Sequence, residues 1–134
     1  MAPRVHRSDL ITGIVIFAHG SRVESANEAV RVFARAIAGR GAAAEVEPAF
    51  LELGEPDLKA AVASLVSRGV KLILVIPYFL TLGMHLQRDL PALVESAASL
   101  YPGVEFRVTP PLDGHPALAQ VVLDRAADAL AGWL

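Results

Sequence analysis

The stretch GIVIFAHGSRVESANEAV, residues 13–30, decides how the chain is read. Its first six residues, Gly13 to Ala18, form an apolar run without alternation, rich in β-branched side chains and too short for a helix. Such a run is buried on both faces, the condition of a strand in a parallel sheet covered by helices. Polar residues then arrive together at His19, Gly20, Ser21 and Arg22. Apolar residues return at Ala26, Ala29, Val30, Phe33, Ala34 and Ile37, the i, i+3, i+4 spacing of one buried helix face. Ser25 and Glu28 stand at capping-box spacing, and Gly39 or Gly41 ends the helix.

The strand–helix unit recurs three times. The run Ala44–Leu51 carries Glu45, Glu47 and Pro48, and a proline that cannot donate to a ladder predicts an edge strand. Its helix starts near Pro56, buries Leu58, Ala61, Val62, Leu65 and Val66, and stops at Gly69. KLILVIPYF, residues 71–79, is the most continuous run and predicts a central strand. A helix burying Leu90, Leu93, Val94, Ala97 and Tyr101 follows, with Asp89 as its N-cap and Pro102-Gly103 closing it. VEFRVT, residues 104–109, is the fourth strand. PPLDGHP leads from it to a last helix with Leu118, Val121, Val122, Ala126, Ala129 and Leu130 on its apolar side. The fold class is therefore α/β: a single flavodoxin-like half, βαβαβαβα, with a four-stranded parallel sheet and helices on both faces. Residues 1–12 read as a flexible leader and 13–134 as one α/β domain, a size that supports its own core.

Composition narrows the function. Hydrophobic residues make up 54% of the chain and mean hydropathy is +0.47. The longest apolar run, LILVIPYFLTLG, is broken by Pro77 and Thr81, short of the ~18 residues that span a bilayer. The excess belongs to doubly covered strands or to an oligomer interface. A net charge of −2 with scattered basic residues leaves no electrostatic footprint for nucleic acid. The absence of cysteine excludes disulfides, thiolate zinc sites and cysteine-held iron–sulfur clusters, so any metal must use imidazole, carboxylate or water. The leader is too short and polar for a signal peptide, His6 within it has no expected role, and a cytoplasmic protein without a membrane partner is expected.

In open parallel sheets, ligands bind outside the carboxyl ends of the strands. His19, Ser21 and Arg22 follow the first strand, Glu52 the second, Tyr78, Thr81, His85 and Gln87 the third, and Asp113 and His115 the fourth. Two imidazoles and a carboxylate suit a divalent first-row ion, and open coordination positions let it be handed onward. Taken singly, each has an ordinary alternative: a histidine after a strand can tie a loop, Glu52 can be a solvated surface charge, and Ser21 can bond a free N–H at the helix start. Arg22 and Arg88 can be surface charges or meet a substrate carboxylate. No nucleophile elbow or phosphate-binding P-loop occurs, and GRGAAA, residues 39–44, lacks the context of a dinucleotide fingerprint.

Four segments in order, IVIFAHGSRVESANE, VEPAFLELGEPDL, VIPYFLTLGMHLQRDLP and TPPLDGHPAL, resemble the small class II chelatases. These are the sirohydrochlorin cobaltochelatase and ferrochelatase family of the short CbiX type, and the likeness runs over nearly the whole chain. It implies a chelatase-like half that inserts a divalent metal into sirohydrochlorin or a related tetrapyrrole, in cobalamin or siroheme biosynthesis. The metal, Co²⁺, Fe²⁺ or Ni²⁺, is the substrate, and no organic cofactor is implied. By the family pattern His19 and His85 bind metal, and Glu52 completes or supports the site. His115 falls in a G-H-P-like segment and receives no role. The chemistry adds an apolar wall for the ring from Phe50, Tyr78, Phe79, Leu82 and Met84, with Leu82 and Met84 the best candidates. Ser21, Arg22 and Arg88 are candidates for binding its carboxylates. Longer relatives carry two such halves, so one half implies a homodimer. The alternatives are a non-catalytic metal or tetrapyrrole carrier on the same fold, and a structural or regulatory module whose histidines are loop ties.

Overall fold

A computed structural model describes residues 11–40 and 44–132. Its elements run β1 (Thr12–Ala18), α1 (Glu24–Ala38), β2 (Ala44–Phe50), α2 (Leu58–Ser67), β3 (Leu72–Pro77), α3 (Met84–Ala98), β4 (Glu105–Val108) and α4 (Ala117–Gly132). The strands form one parallel sheet in the order β2-β1-β3-β4, with Ile16 opposite Pro48 on one side and Ile76 on the other. The α/β reading holds. β2 is the edge strand that Pro48 predicts, and β3 lies inside the sheet. The leader and the Gly41 alternative fall outside the described residues, except that Ile11 and Thr12 belong to the sheet margin. Ile11 O accepts from Lys71 N at 2.9 Å, and Thr12 opens β1.

Strand alternation sorts the layers. Val15 and Phe17 of β1 join Ile73 and Val75 of β3 in a core completed by Leu58, Val62 and Leu65 of α2 and Leu90 and Val94 of α3. Full burial of each such side chain contributes about 1.5–3 kcal/mol relative to exposure. Ile16 and Ala18 point the other way, to the side of α1. Asp57 caps α2 by accepting from Ala60 N at 2.9 Å, so that helix starts at Leu58, just beyond Pro56. On the edge strand Glu45 and Glu47 are both paired with Arg68 from the end of α2.

Four expectations are corrected. The capping box does not form. Val23 occupies the N-cap of α1 without a side-chain bond, and Glu28 pairs with Arg31 and Arg35. The buried face of α1 is accordingly rotated: Ala26, Ala29 and Phe33 are exposed, while Asn27 and Ala34 are buried. Asp89 is not an N-cap. Gly83 takes that place, Gln87 N bonds Gly83 O at 3.0 Å, and Asp89 stands in the second turn of α3. The apolar side of α4 is not buried: Val122 is 68% and Leu130 73% exposed, because no other element covers the helix.

Candidate functional site

The strand order changes direction between β1 and β3, the switch point where open α/β sheets bind ligands. His19 leaves β1 there. Gly20 follows with φ +93°, a region open to glycine, and its hydrogen faces the next loop so closely that a Cβ would lie 1.7 Å from Glu52 O. Glu52 N donates to His19 O at 3.1 Å, so the loops after β1 and β2 are in backbone contact. Their side chains meet as well: His19 Nε2 stands 3.9 Å from Glu52 Oε1, with the side chains 58% and 57% exposed. His19 Nδ1 lies 3.2 Å from Gly20 O. With the proton on Nδ1 the ring donates there and keeps the Nε2 lone pair beside the carboxylate.

His85 arrives from α3, whose first turn follows the loop after β3. A cavity of 740 Å³ is lined by both His19 and His85, together with Phe79, Met84, Asp89 and Leu93. Its lining is mostly apolar, and Met84 is 80% exposed. The three donors are not converged: among the described residues no three His, Asp or Glu side chains stand close enough to hold one ion. The His19–Glu52 gap is too long for a hydrogen bond. It leaves room for an ion between the two side chains. The pair offers two donors and leaves other positions open for His85, water or an incoming ring nitrogen.

The remaining expected residues are distributed differently. Leu82 is half-buried and packs against the core, Phe50 is buried, and Tyr78 stacks on Phe33 at 4.7 Å. Ser21 Oγ accepts from Val23 N at 3.0 Å, the helix-start bond open to it. Arg22 and Arg88 are exposed, outside the cavity lining, and make no ion pair among the described residues. His115 Nδ1 accepts from Ala117 N at 3.1 Å, which places this ring at the start of α4. Two residues were missed. Asp89 shares the cavity with His85 because four residues make one helical turn, a relation hidden when the helix is started at Asp89 itself. Asn27 is 1% exposed and bonds the loops that carry His19 and Glu52. Its signal was a polar residue seven positions before buried Ala34, on the same face.

Arg31, one turn beyond Asn27, donates from Nε and Nη2 to Glu55 O and sits 5.3 Å over the Phe50 ring. Its hydrogen bond to Glu24, aided by Asn27, holds that carboxyl below the ordinary glutamate range. Hydrogen bonds from Arg35 and then Arg31 do the same for Glu28.

The model of the CbiX family matches residues 13–129. The chain belongs to that family. The CbiX chain is 37% identical over 118 residues to the chloroplastic sirohydrochlorin ferrochelatase of Arabidopsis thaliana, an alignment covering 88% of this chain and 52% of the relative. It is 30% identical over 126 residues to the sirohydrochlorin cobaltochelatase of Methanosarcina acetivorans, covering 88% and 96%. Its fold is similar to that of the sirohydrochlorin chelatase SirB from Bacillus subtilis subspecies spizizenii, solved in complex with cobalt. That likeness has a TM-score of 0.80 and 28% identity, and covers 89% of this chain and 51% of SirB. The CbiX chain thus spans about half the length of the Arabidopsis relative and of SirB, and nearly all of the Methanosarcina relative. The family resemblance carried by the four sequence segments is confirmed.

Proposed function

We propose that this chain inserts a divalent metal, Co²⁺ or Fe²⁺, into sirohydrochlorin. The observation that carries the reading is His19 beside Glu52 at 3.9 Å on a cavity shared with His85, at the switch point of a CbiX-family sheet. The hydrated ion exchanges water for His19 Nε2 and a Glu52 oxygen, and His85 contacts it from α3. The tetrapyrrole lies against the apolar wall of Phe79, Met84 and Leu93. As the ring nitrogens replace protein donors on the metal, both pyrrole N–H protons leave, one to the Glu52 carboxylate as it is released and the other to solvent. Charge and mass then balance: M²⁺ plus the free-base ring gives the metallated ring and two protons. Ligand exchange with imidazole and carboxylate is reversible, which a delivering site requires and a closed four-donor shell forbids.

Mixing purified protein with sirohydrochlorin and Co²⁺, Fe²⁺ or Ni²⁺ tests this by the change in visible absorbance. Acceleration over the free reaction through many turnovers supports a chelatase. Stoichiometric binding with no gain in rate indicates a carrier, and neither binding nor acceleration leaves the module reading. Imidazole and carboxylate accept Co²⁺, Fe²⁺ and Ni²⁺ alike, so the metal used in the cell follows supply as well as geometry.

The working unit in this reading is a homodimer. Val121, Val122, Leu123 and Leu130 of α4 are each about half exposed or more, and Leu74 and Ile76 of β3 are half-buried on the face away from α2 and α3. This chain spans about half the length of the Arabidopsis relative and of SirB, which leaves room in those chains for a second half. Sedimentation at micromolar concentration should give twice the chain mass, and Val122→Asp with Leu130→Asp should give the monomer. A monomeric wild type with full activity would remove the dimer from the mechanism.

A further inference from the structure

We propose that Asn27 is a positioning residue of the metal site, a buried amide that holds the His19 loop and the Glu52 loop in a single register. The inference rests on the site assignment above and adds a residue that touches neither metal nor ring. Asn27 Oδ1 accepts from Ser21 N at 2.8 Å. Its Nδ2 donates to Ser21 O at 2.8 Å and to Leu53 O at 2.9 Å, with Glu24 Oε2 farther away at 3.3 Å. Ser21 lies two residues after His19, and Leu53 is the residue after Glu52. One side chain therefore grips both loops just beyond the two candidate ligands. The orientation of the amide follows from its partners, because only the NH₂ group can serve two carbonyls.

This amide is not a helix cap. The first turn of α1 has no side-chain cap, and all the hydrogen-bonding capacity of Asn27 goes to the two loops and to Glu24. The bond to Leu53 O also holds an uncommon backbone state. Leu53 has φ 59°, a left-handed conformation that a leucine adopts only when its surroundings impose it. That turn carries the chain away from Glu52 so that its carboxylate faces His19. Nearby packing leaves no slack: a Cβ on Gly54 would come within 3.1 Å of Asn27 Nδ2 and 2.9 Å of the Phe50 ring. Arg31 extends the grip to Glu55 O. The His19 and Glu52 side chains are more than half exposed and little held by packing, so the spacing of their loops limits how they can meet, and Asn27 ties those loops at Ser21 and Leu53.

The test uses Co²⁺ alone as probe on the full chain, read by its visible d–d absorption and by calorimetric titration. Asn27→Ala is expected to weaken Co²⁺ binding about 10–100-fold, the usual effect of removing an outer-shell partner, and to alter the d–d spectrum. Val62→Ala, a buried α2 change remote from both loops, serves as the control. It is expected to lower the melting temperature while leaving affinity and spectrum as in the wild type. Asn27→Asp keeps the acceptor for Ser21 N but removes both donors, so it gives a second reading if the alanine variant does not fold. The inference is overturned if the folded Asn27 variants keep wild-type affinity and spectrum, or if Val62→Ala loses affinity to the same degree. His19→Ala separates this failure from a failure of the site itself. If His19→Ala loses Co²⁺ and the Asn27 variants do not, only the positioning role falls. If His19→Ala binds like the wild type, the site assignment falls first.

Discussion

Alanine at His19 or at His85 should each lower the rate of metal insertion by more than about 100-fold, beyond what the loss of an outer-shell partner costs, while leaving the fold intact. The two halves of that expectation have separate physical grounds. His19 supplies the Nε2 lone pair beside Glu52, and without it the carboxylate is a single exposed donor that holds a hydrated ion only weakly. His85 lines the same cavity as His19, where it can add a further donor to an incoming ion. Neither ring anchors the core. Among the described residues the His19 ring hydrogen-bonds only the adjacent Gly20 carbonyl, and His85 is exposed in the first turn of α3. Stability changes of surface residues usually stay within about 0.5 kcal/mol, so melting temperatures should hardly move. Insertion kinetics and thermal melts on the same preparations check both halves. Wild-type rates in both variants would sink the site assignment.

Gly20→Ala should produce the opposite signature, a loss of stability together with a loss of activity. The new methyl group would fall 1.7 Å from Glu52 O, which is backbone and cannot rotate aside. The φ of +93° adds strain of about 1–3 kcal/mol for a residue with a Cβ. Relief requires the loops after β1 and β2 to separate, which breaks the Glu52 N to His19 O bond and parts the two candidate ligands. The combined cost should reach about 3 kcal/mol or more, among the larger effects of single substitutions. A domain of this size then melts roughly 10 °C lower. Gly103→Ala is the matched control, because a Cβ there meets nothing within 4 Å. Its melting temperature should stay level or rise slightly, as the unfolded chain loses freedom. A Gly20→Ala protein with normal stability would show that the two loops are not locked together.

Much of the fold was legible because burial leaves a periodic trace. The unbroken runs around Val15 and Val75 mark strands covered on both sides, and Pro48 marks the edge strand. The rule that ligands gather at carboxyl ends of parallel strands collected His19, Glu52, His85 and His115 among other polar residues, and the family resemblance singled out His19, Glu52 and His85. Where the reading failed, hydrophobic spacing had a competitor. In α1 the buried stripe includes Asn27, so a search for apolar faces chose a face rotated toward Ala26 and Phe33. In α3 taking Asp89 as the cap starts the helix six residues late, although Gly83 serves as the N-cap through its extended backbone alone. In α4 the apolar side stays exposed, because no other described element packs against it.

The sequence by itself determined the α/β class, the order of the elements and the end of the sheet where the candidate ligands lie. These follow from residue type and period, which act locally and along the chain. Only the tertiary structure decided that Glu52 stands 3.9 Å from His19, that Asp89 shares the cavity wall with His85, and that Asn27 grips two loops. Those relations depend on the left-handed turns at Gly20 and Leu53 and on the register of β1 between its neighbours. Backbone rotation there swings the attached side chains, and no periodicity in the sequence records that rotation.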